Sequence, residues 1–348
     1  MAAAYSLAFD APLRERNTFR VDARARCLAT VHDAAALPAL LRDPAVRGLP
    51  LLVLGEGSNL LFAEPRFDGL VVHLACDDVR IESDDADAAR VRAEAAFGWD
   101  ALVDWTLARG LRGLENLALI PGQVGAAPIQ NIGAYGVEVG QFVTHVEAFD
   151  LESHTQARLP GDGCGFGYRD SVFKREAGRW IVTAVGFRLP KHGATNLDYA
   201  GLREELAAAG ASGAGAREVA EAVRRLRRRK LPDPAVLGNA GSFFKNPVVG
   251  AAVAERLQAR FAALPVFPAG DASVRKLSAA WLIERAGWRG HRQGDAGIST
   301  QHALVLVNHG AASGAELLGV ARSVARSVED VFGVRLEPEP RIVGADFR

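Results

Sequence analysis

Residues 121–136 read Pro121-Gly122-Gln123-Val124-Gly125-Ala126-Ala127-Pro128-Ile129-Gln130-Asn131-Ile132-Gly133-Ala134-Tyr135-Gly136. The stretch keeps neither the 3.6-residue period of a helix nor the alternation of a strand. It is also too apolar to be a freely solvated loop. Small residues and repeated glycine let a backbone lie directly against a flat or phosphorylated ligand. The irregular region extends over 110–140, and a segment that long inside a compact domain is usually functional. Upstream, 49–54 and 69–74 read as strands. The acidic run 82–88 reads as a turn or boundary, and 89–95 as a half-buried strand with Val91, Ala93 and Ala95 on one face. Residues 97–109 carry Trp99, Leu102, Val103 and Leu107 at helical spacing. Downstream, 143–151 and 179–189 read as strands. Residues 217–230 read as a helix stopped by Leu231-Pro232-Asp233-Pro234. The last third predicts helices over 253–264, 274–286 and 314–332 and a strand over 303–308, with strand-like composition over 335–343. The long helix has its apolar face at Leu317, Ala321, Val324, Val328 and Val331. No internal repeat is visible. The fold class is α+β, with a boundary near 231–234.

Composition narrows the function. A chain of 348 residues is long enough for about two domains and needs no disulfide or metal to stabilise a core. Its 41 Lys and Arg balance 41 Asp and Glu. It therefore has no global electrostatic reason to seek nucleic acid or an anionic membrane. Cys27, Cys76 and Cys164 are far apart and form no C-x-x-C, so they read as small buried hydrophobes. The eight histidines lack metal-site spacing, and no metal is implied. No signal-peptide pattern and no apolar run of about 18 residues occur, so a cytoplasmic protein is expected.

Five further constellations could carry chemistry. Gly55-Glu56-Gly57-Ser58-Asn59 follows an apolar strand and suits either an anion or a tight turn. Leu60 in the sixth position excludes a dinucleotide fingerprint. Tyr168-Arg169-Asp170-Ser171 sets a guanidinium between an aromatic ring and a carboxylate, either to grip a substrate carboxylate or as a structural pair. Gly238-Asn239-Ala240-Gly241-Ser242-Phe243-Phe244-Lys245-Asn246-Pro247 presents a hydroxyl that is either functional or a turn serine. No Gly-x-Ser-x-Gly elbow exists. Glu337-Pro338-Glu339-Pro340-Arg341 stiffens the chain around a carboxylate that is otherwise a solvated one. Arg224, Arg225, Arg227, Arg228, Arg229 and Lys230 form the dense basic run. Val219, Val223 and Leu226 give that helix an apolar face, so the run reads as a solvated helix face. Lys230 stands apart because it borders the proline turn leading to Ser242.

Together these segments resemble the UDP-N-acetylenolpyruvoylglucosamine reductase (UDP-N-acetylmuramate dehydrogenase) family. The likeness runs from Asn17-Thr18-Phe19-Arg20 to the Glu-Pro-Glu tail, and includes Glu115-Asn116-Leu117-Ala118-Leu119-Ile120-Pro121-Gly122. Tyr168 to Lys174 together with Tyr199 is similar to the type I branch. Glu56 stands where the family often has glycine, and Pro340 and Ile342 vary the tail.

The resemblance implies a two-subdomain FAD-binding (PCMH-type) fold plus a third α+β substrate-binding domain. The implied boundaries are 1–80, 81–232 and 233–340, with the tail 341–348 able to return to the second part. It implies NADPH-dependent, FAD-mediated reduction of an enolpyruvyl group on a UDP-sugar. That reaction belongs to peptidoglycan precursor synthesis, and with it to cell wall biogenesis, cell shape, cell division and the cell cycle. FAD would be lined by Gly55, Glu56, Gly57, Ser58, Asn59 and Leu60. The second loop would add Pro121, Gly122, Gly125, Ala126, Ala127, Gln130, Asn131, Gly133, Ala134 and Tyr135. Residues 122–136 contain no His or Cys to anchor a flavin, so the cofactor is expected to be non-covalent. Ser242, Arg169 and Glu339 match the family's catalytic trio. Tyr199, Lys230 and Asn246 match its substrate-handling positions. A monomer is expected. Two rivals remain: another flavin oxidoreductase of the same cofactor-binding fold, and a binding module built on the arginine run.

Overall fold

The computed structural model describes residues 3–199, 201–210 and 215–348. They form two compact units. The first takes residues up to Ala11, Ala25–Glu56 and Asp68–Arg227. The second takes Pro12–Arg24, Gly57–Phe67 and Arg228–Arg348.

The first unit holds two sheets. One has the strand order Tyr5–Pro12, Arg24–Val31, Arg66–Leu74, Leu51–Val53, and its last pair is parallel, with Leu51 opposite Leu70. The other is antiparallel in the order Thr155–Pro160, Val143–Asp150, Trp180–Pro190, Ala88–Glu94, Val79–Asp84. The Val79–Asp84 strand runs across the 80/81 boundary expected above and belongs wholly to this second sheet. The acidic run beyond it is a hairpin. The Asp85 carboxylate accepts from the amides of Asp87 and Ala88 at 2.9 and 2.8 Å, an Asx turn that lets the strands reverse.

Against the second sheet packs the helix Trp99–Ala108, which buries Trp99, Leu102, Val103 and Leu107, all members of the apolar face read from spacing. Each such side chain contributes about 1.5–3 kcal/mol when fully withdrawn from water. The helix Ala216–Lys230 adds Val219, Ala220, Val223 and Leu226 to the same core. Cys27, Cys76 and Cys164 are free and buried. Burial raises the Cys164 thiol to about 11, so it is a packing group rather than a nucleophile.

The second unit is built on the four-stranded sheet Gly238–Ser242, Val305–Asn308, Ala296–Ile298, Arg292–Gln293. The helix Gly314–Phe332 starts in a capping box, where the Ser313 side chain accepts from the Glu316 amide and Glu316 reaches back to the Ser313 amide. Gly333 closes it in the left-handed conformation. Its buried stripe follows Leu317, Ala321, Val324 and Val328, then continues to Phe332, leaving Val331 exposed. The reason is the four-residue step from Val328, which keeps the larger ring on the core side.

Residues 274–286, expected as one helix, divide. Asp271–Leu277 is the middle strand of a three-stranded sheet with Val248–Gly250 and Val266–Ala269. Only Ala279–Arg285 is helical, begun by Ser278 as N-cap. The tail also differs from expectation. Arg341–Val343 pairs in parallel with Leu60–Phe62, not with any strand of 81–232. The buried Leu61 and Phe62 form an apolar strand whose ladder needs that partner. No helix of the described residues is long and apolar enough to cross a membrane.

Candidate active site and flavin-binding loops

In the first unit the 121–136 segment is pinned by its backbone. Trp99 N–H donates to Gly122 O at 2.9 Å, Val124 N–H to Phe97 O at 2.9 Å and Gly125 N–H to Ala95 O at 2.9 Å. A Cβ on Gly125 would stand 2.6 Å from the Ala95 Cβ, so only glycine fits that approach. Asn131, 2% exposed, donates from Nδ2 to Glu138 Oε2 at 2.8 Å and accepts on Oδ1 from Gly140 N–H at 2.9 Å. Asn116 donates to Tyr135 O at 2.8 Å. Leu119, Asn131, Tyr135 and Arg169 all adopt positive φ without being glycine. Such strain gathers where surrounding structure over-determines the backbone, as at ligand clamps.

Arg169 reaches this loop directly. Its Nη2 donates to Gly133 O at 2.8 Å, and Lys174 Nζ caps the Arg169 carbonyl at 2.9 Å. The neighbouring Asp170 carboxylate pairs with Arg175. Ser171 starts the short helix Val172–Arg175 and donates to Ile129 O at 2.5 Å, tying that helix to the same loop. Tyr199 meets Tyr135 edge to face, ring centroids 4.8 Å apart. Gly55 also comes against the loop, since a Cβ there would lie 2.8 Å from Gln123 Oε1. Gly55 and Glu56 belong to this unit.

In the second unit three motifs meet. Ser242 ends the strand Gly238–Ser242, opposite Val305. Buried Asn239 holds that strand to the proline turn after Lys230, donating to Pro232 O at 3.1 Å and Leu237 O at 2.7 Å. The Glu337–Glu339 tail then runs antiparallel beside Phe243–Lys245. Lys245 N–H donates to Glu337 O at 3.0 Å, and Glu339 N–H to Phe243 O at 2.8 Å. Asn59 completes the group, donating from Nδ2 to Glu339 O at 3.4 Å while its own carbonyl accepts from Arg341 N–H at 3.0 Å. Gly57, Ser58, Asn59 and Leu60 lie in this unit. Asn246 accepts on Oδ1 from Ala279 N–H at 2.9 Å.

Similarity to known proteins places this arrangement. A reductase described as UDP-N-acetylenolpyruvoylglucosamine reductase in Xanthomonas euvesicatoria pathovar vesicatoria is 56% identical over 344 residues, covering 99% of this chain and 98% of its own. The chain belongs to the UDP-N-acetylenolpyruvoylglucosamine reductase family. The protein of that description from Xanthomonas axonopodis pathovar citri is likewise 56% identical over 344 residues. Residues 25–156 match the family model for an FAD binding domain, and 233–343 the model for the reductase C-terminal domain. The crystal structure of the reductase from Thermus caldophilus covers 97% of this chain and 98% of its own, with a TM-score of 0.66 at 26% identity.

FAD is the cofactor that this family membership and the domain match assign. The loops of the reductase fit it. Gly55 leaves room for the Gln123 side chain, whose Oε1 would stand 2.8 Å from a Cβ there, and among the described residues the buried Asn116 Oδ1 has no hydrogen-bond partner beside Tyr135. The basic run departs from expectation. Arg224 is buried, 7% exposed, and pairs with Asp100, Asp104 and Glu221. Arg227 is half-buried and donates from Nε to Leu119 O at 3.1 Å. Burial pulls its guanidinium below the usual arginine range, and the nearby Arg169 charge acts in the same sense. The run is therefore not simply a solvated face. The signal was present in the spacing: Arg227 follows Val219 and Val223 at steps of four, on the buried stripe.

Proposed function

We propose that this reductase converts UDP-N-acetylenolpyruvoylglucosamine to UDP-N-acetylmuramate with NADPH as reductant, with Arg169, Ser242 and Glu339 as its catalytic residues. FAD, when bound, supplies the hydride-transfer chemistry between NADPH and the enolpyruvyl carbon. The protein's own residues do the rest. Negative charge builds on the substrate carboxylate as hydride adds to the adjoining double bond. Arg169 offers a forked donor set to that carboxylate, and Glu339 a second group that donates when protonated. The α-carbon then takes a proton, for which the Ser242 hydroxyl is the donor. Lys230, Asn246 and Tyr199 serve the diphosphate and uridine side of the substrate.

The observation that carries this reading is the pairing of the Phe243–Lys245 and Glu337–Glu339 segments, which sets the Ser242 strand beside the Glu339 tail. A cofactor-binding oxidase without this reaction has no need of such a pairing. The two sheets of the first unit support reading it as two FAD-binding subdomains divided just before Val79, with 233–340 as the substrate domain. The flavin loops 55–60 and 121–135 hold FAD without a covalent bond, and the enzyme works in the cytoplasm as a monomer. The test is spectroscopic. The purified protein should be yellow, bleach with NADPH, and recover its colour under anaerobic conditions only when the enolpyruvyl UDP-sugar is added. Recovery that is independent of that substrate overturns the assignment.

A further inference from the structure

Leu119 has φ +60°, the left-handed region that a leucine side chain disfavours. It lies two residues before Pro121, whose ring restricts Ile120 to extended conformations, so the direction set at Leu119 passes straight into Gly122. Both polar groups of Leu119 are gripped by side chains. Its amide donates to Asp100 Oδ1 at 2.7 Å, and its carbonyl accepts from Arg227 Nε at 3.1 Å. Asp100 is itself fixed, since buried Arg224 donates to the same Oδ1 at 2.9 Å and to Asp104 at 2.7 Å. The start of the Trp99–Ala108 helix adds two more ties, from Trp99 Nε1 to Leu117 O at 2.9 Å and from Trp99 N–H to Gly122 O at 2.9 Å.

We propose that Asp100 and Arg227 are positioning residues that clamp Leu119 in its left-handed conformation and so preshape the 121–136 loop for FAD. The proposal rests on the reading of that loop as a flavin-binding one. The clamp acts before the cofactor arrives: it removes the cost of strain at Leu119 from the binding step. A plain structural role for Asp100, as a partner of Arg224, would stabilise the helix pair and leave the loop's shape indifferent to what stands at 119.

Flavin-stripped protein titrated with FAD, followed by quenching of flavin fluorescence, separates these. Asp100→Ala is expected to weaken FAD binding about tenfold, the size of one lost charge-assisted hydrogen bond. Asp100→Asn, which keeps an acceptor for the Leu119 amide, should lose less. Leu119→Gly adopts positive φ without help, so adding it to Asp100→Ala should restore most of the affinity. Unchanged binding in Asp100→Ala, or no recovery in the double variant, overturns the clamp. Amide exchange of Leu119 in the wild-type flavin-stripped protein reads the same contact should Asp100→Ala fail to fold: slow exchange is expected, and exchange as fast as an open loop overturns it. Wild-type protein that binds no FAD would instead fail the flavin reading, which the affinity of Asp100→Ala cannot do.

Discussion

The amide of Glu339 donates to the carbonyl of Phe243, the residue after Ser242, at 2.8 Å. Because this link is made by backbone, either acid or hydroxyl can be replaced without removing the pairing that places them. Ser242→Ala is therefore expected to fold, bind FAD and be reduced by NADPH at near wild-type rate. Transfer to the enolpyruvyl substrate should fall by about 10²–10⁴-fold, the usual cost of a lost general acid. Ser242→Cys should keep part of that rate. Stopped-flow absorbance of the two half-reactions measures both, and equal losses in the two would reject the role.

Glu339→Gln keeps the Phe243 link and the tail's course. It should spare flavin reduction and slow the substrate half-reaction, because an amide cannot reproduce a carboxylic acid's donor strength. An unchanged second half-reaction would exclude Glu339 from the chemistry.

Arg169→Lys retains charge but loses the fork that donates to Gly133 O and would grip a planar carboxylate. We expect the substrate half-reaction to drop by at least roughly tenfold, the size of one charge-assisted hydrogen bond, with a smaller effect on FAD affinity. Near-normal turnover would remove Arg169 from the trio.

Acid stability has a separate source. Buried Asp150 is lowered to about 2, chiefly by its hydrogen bond with Arg179, 2.9 Å away. A carboxyl held below its unfolded value of about 3.9 stabilises the fold above that pH and loses the contribution as pH falls towards 2. Asp150→Asn should therefore flatten the decline in urea midpoint between about pH 4 and pH 2. A decline as steep as in the wild type would assign acid sensitivity elsewhere.

On the second sheet the His145 ring lies over Gly186, where a Cβ would collide with the imidazole. Gly186→Ala should cost about 1–3 kcal/mol through overpacking. His145→Ala in that background should recover most of the loss, as thermal melts of the four proteins of the cycle would show. Independent, additive losses would contradict the contact.

The candidate site residues could be named from sequence because each sits in a local motif. Arg169 and Ser242 stand in runs of consecutive residues that mark them as candidates, although the helix that Ser171 caps and the strand that ends at Ser242 appear only in the structure. The Gly314–Phe332 helix was legible from its stripe alone. What escaped depends on distant partners. Residues 274–277 share helix-like spacing with the residues after them, and only the pairing of Asp271–Leu277 with Val248–Gly250 and Val266–Ala269 makes them part of a strand. The inward Arg224 reads as one more surface cation until Asp100 and Asp104, more than a hundred residues earlier, come beside it. The segment around Gly57 joins the second unit through Thr18, whose amide donates to Gly57 O at 3.3 Å, a link no local pattern announces.

The parallel pairing of Leu60–Phe62 with Arg341–Val343 also governs the order in which a newborn chain can mature. At roughly 5–20 residues per second, the first of these strands leaves the ribosome on the order of tens of seconds before the second exists. Everything assigned to the first unit has been synthesised by Arg227, so that unit can condense while translation continues. The second cannot. Its Leu61 and Phe62 wait as an apolar edge until the codons for Arg341–Val343 are read. A nascent chain stalled just short of Arg341 is therefore the form most exposed to chaperone capture and to misassembly with its neighbours.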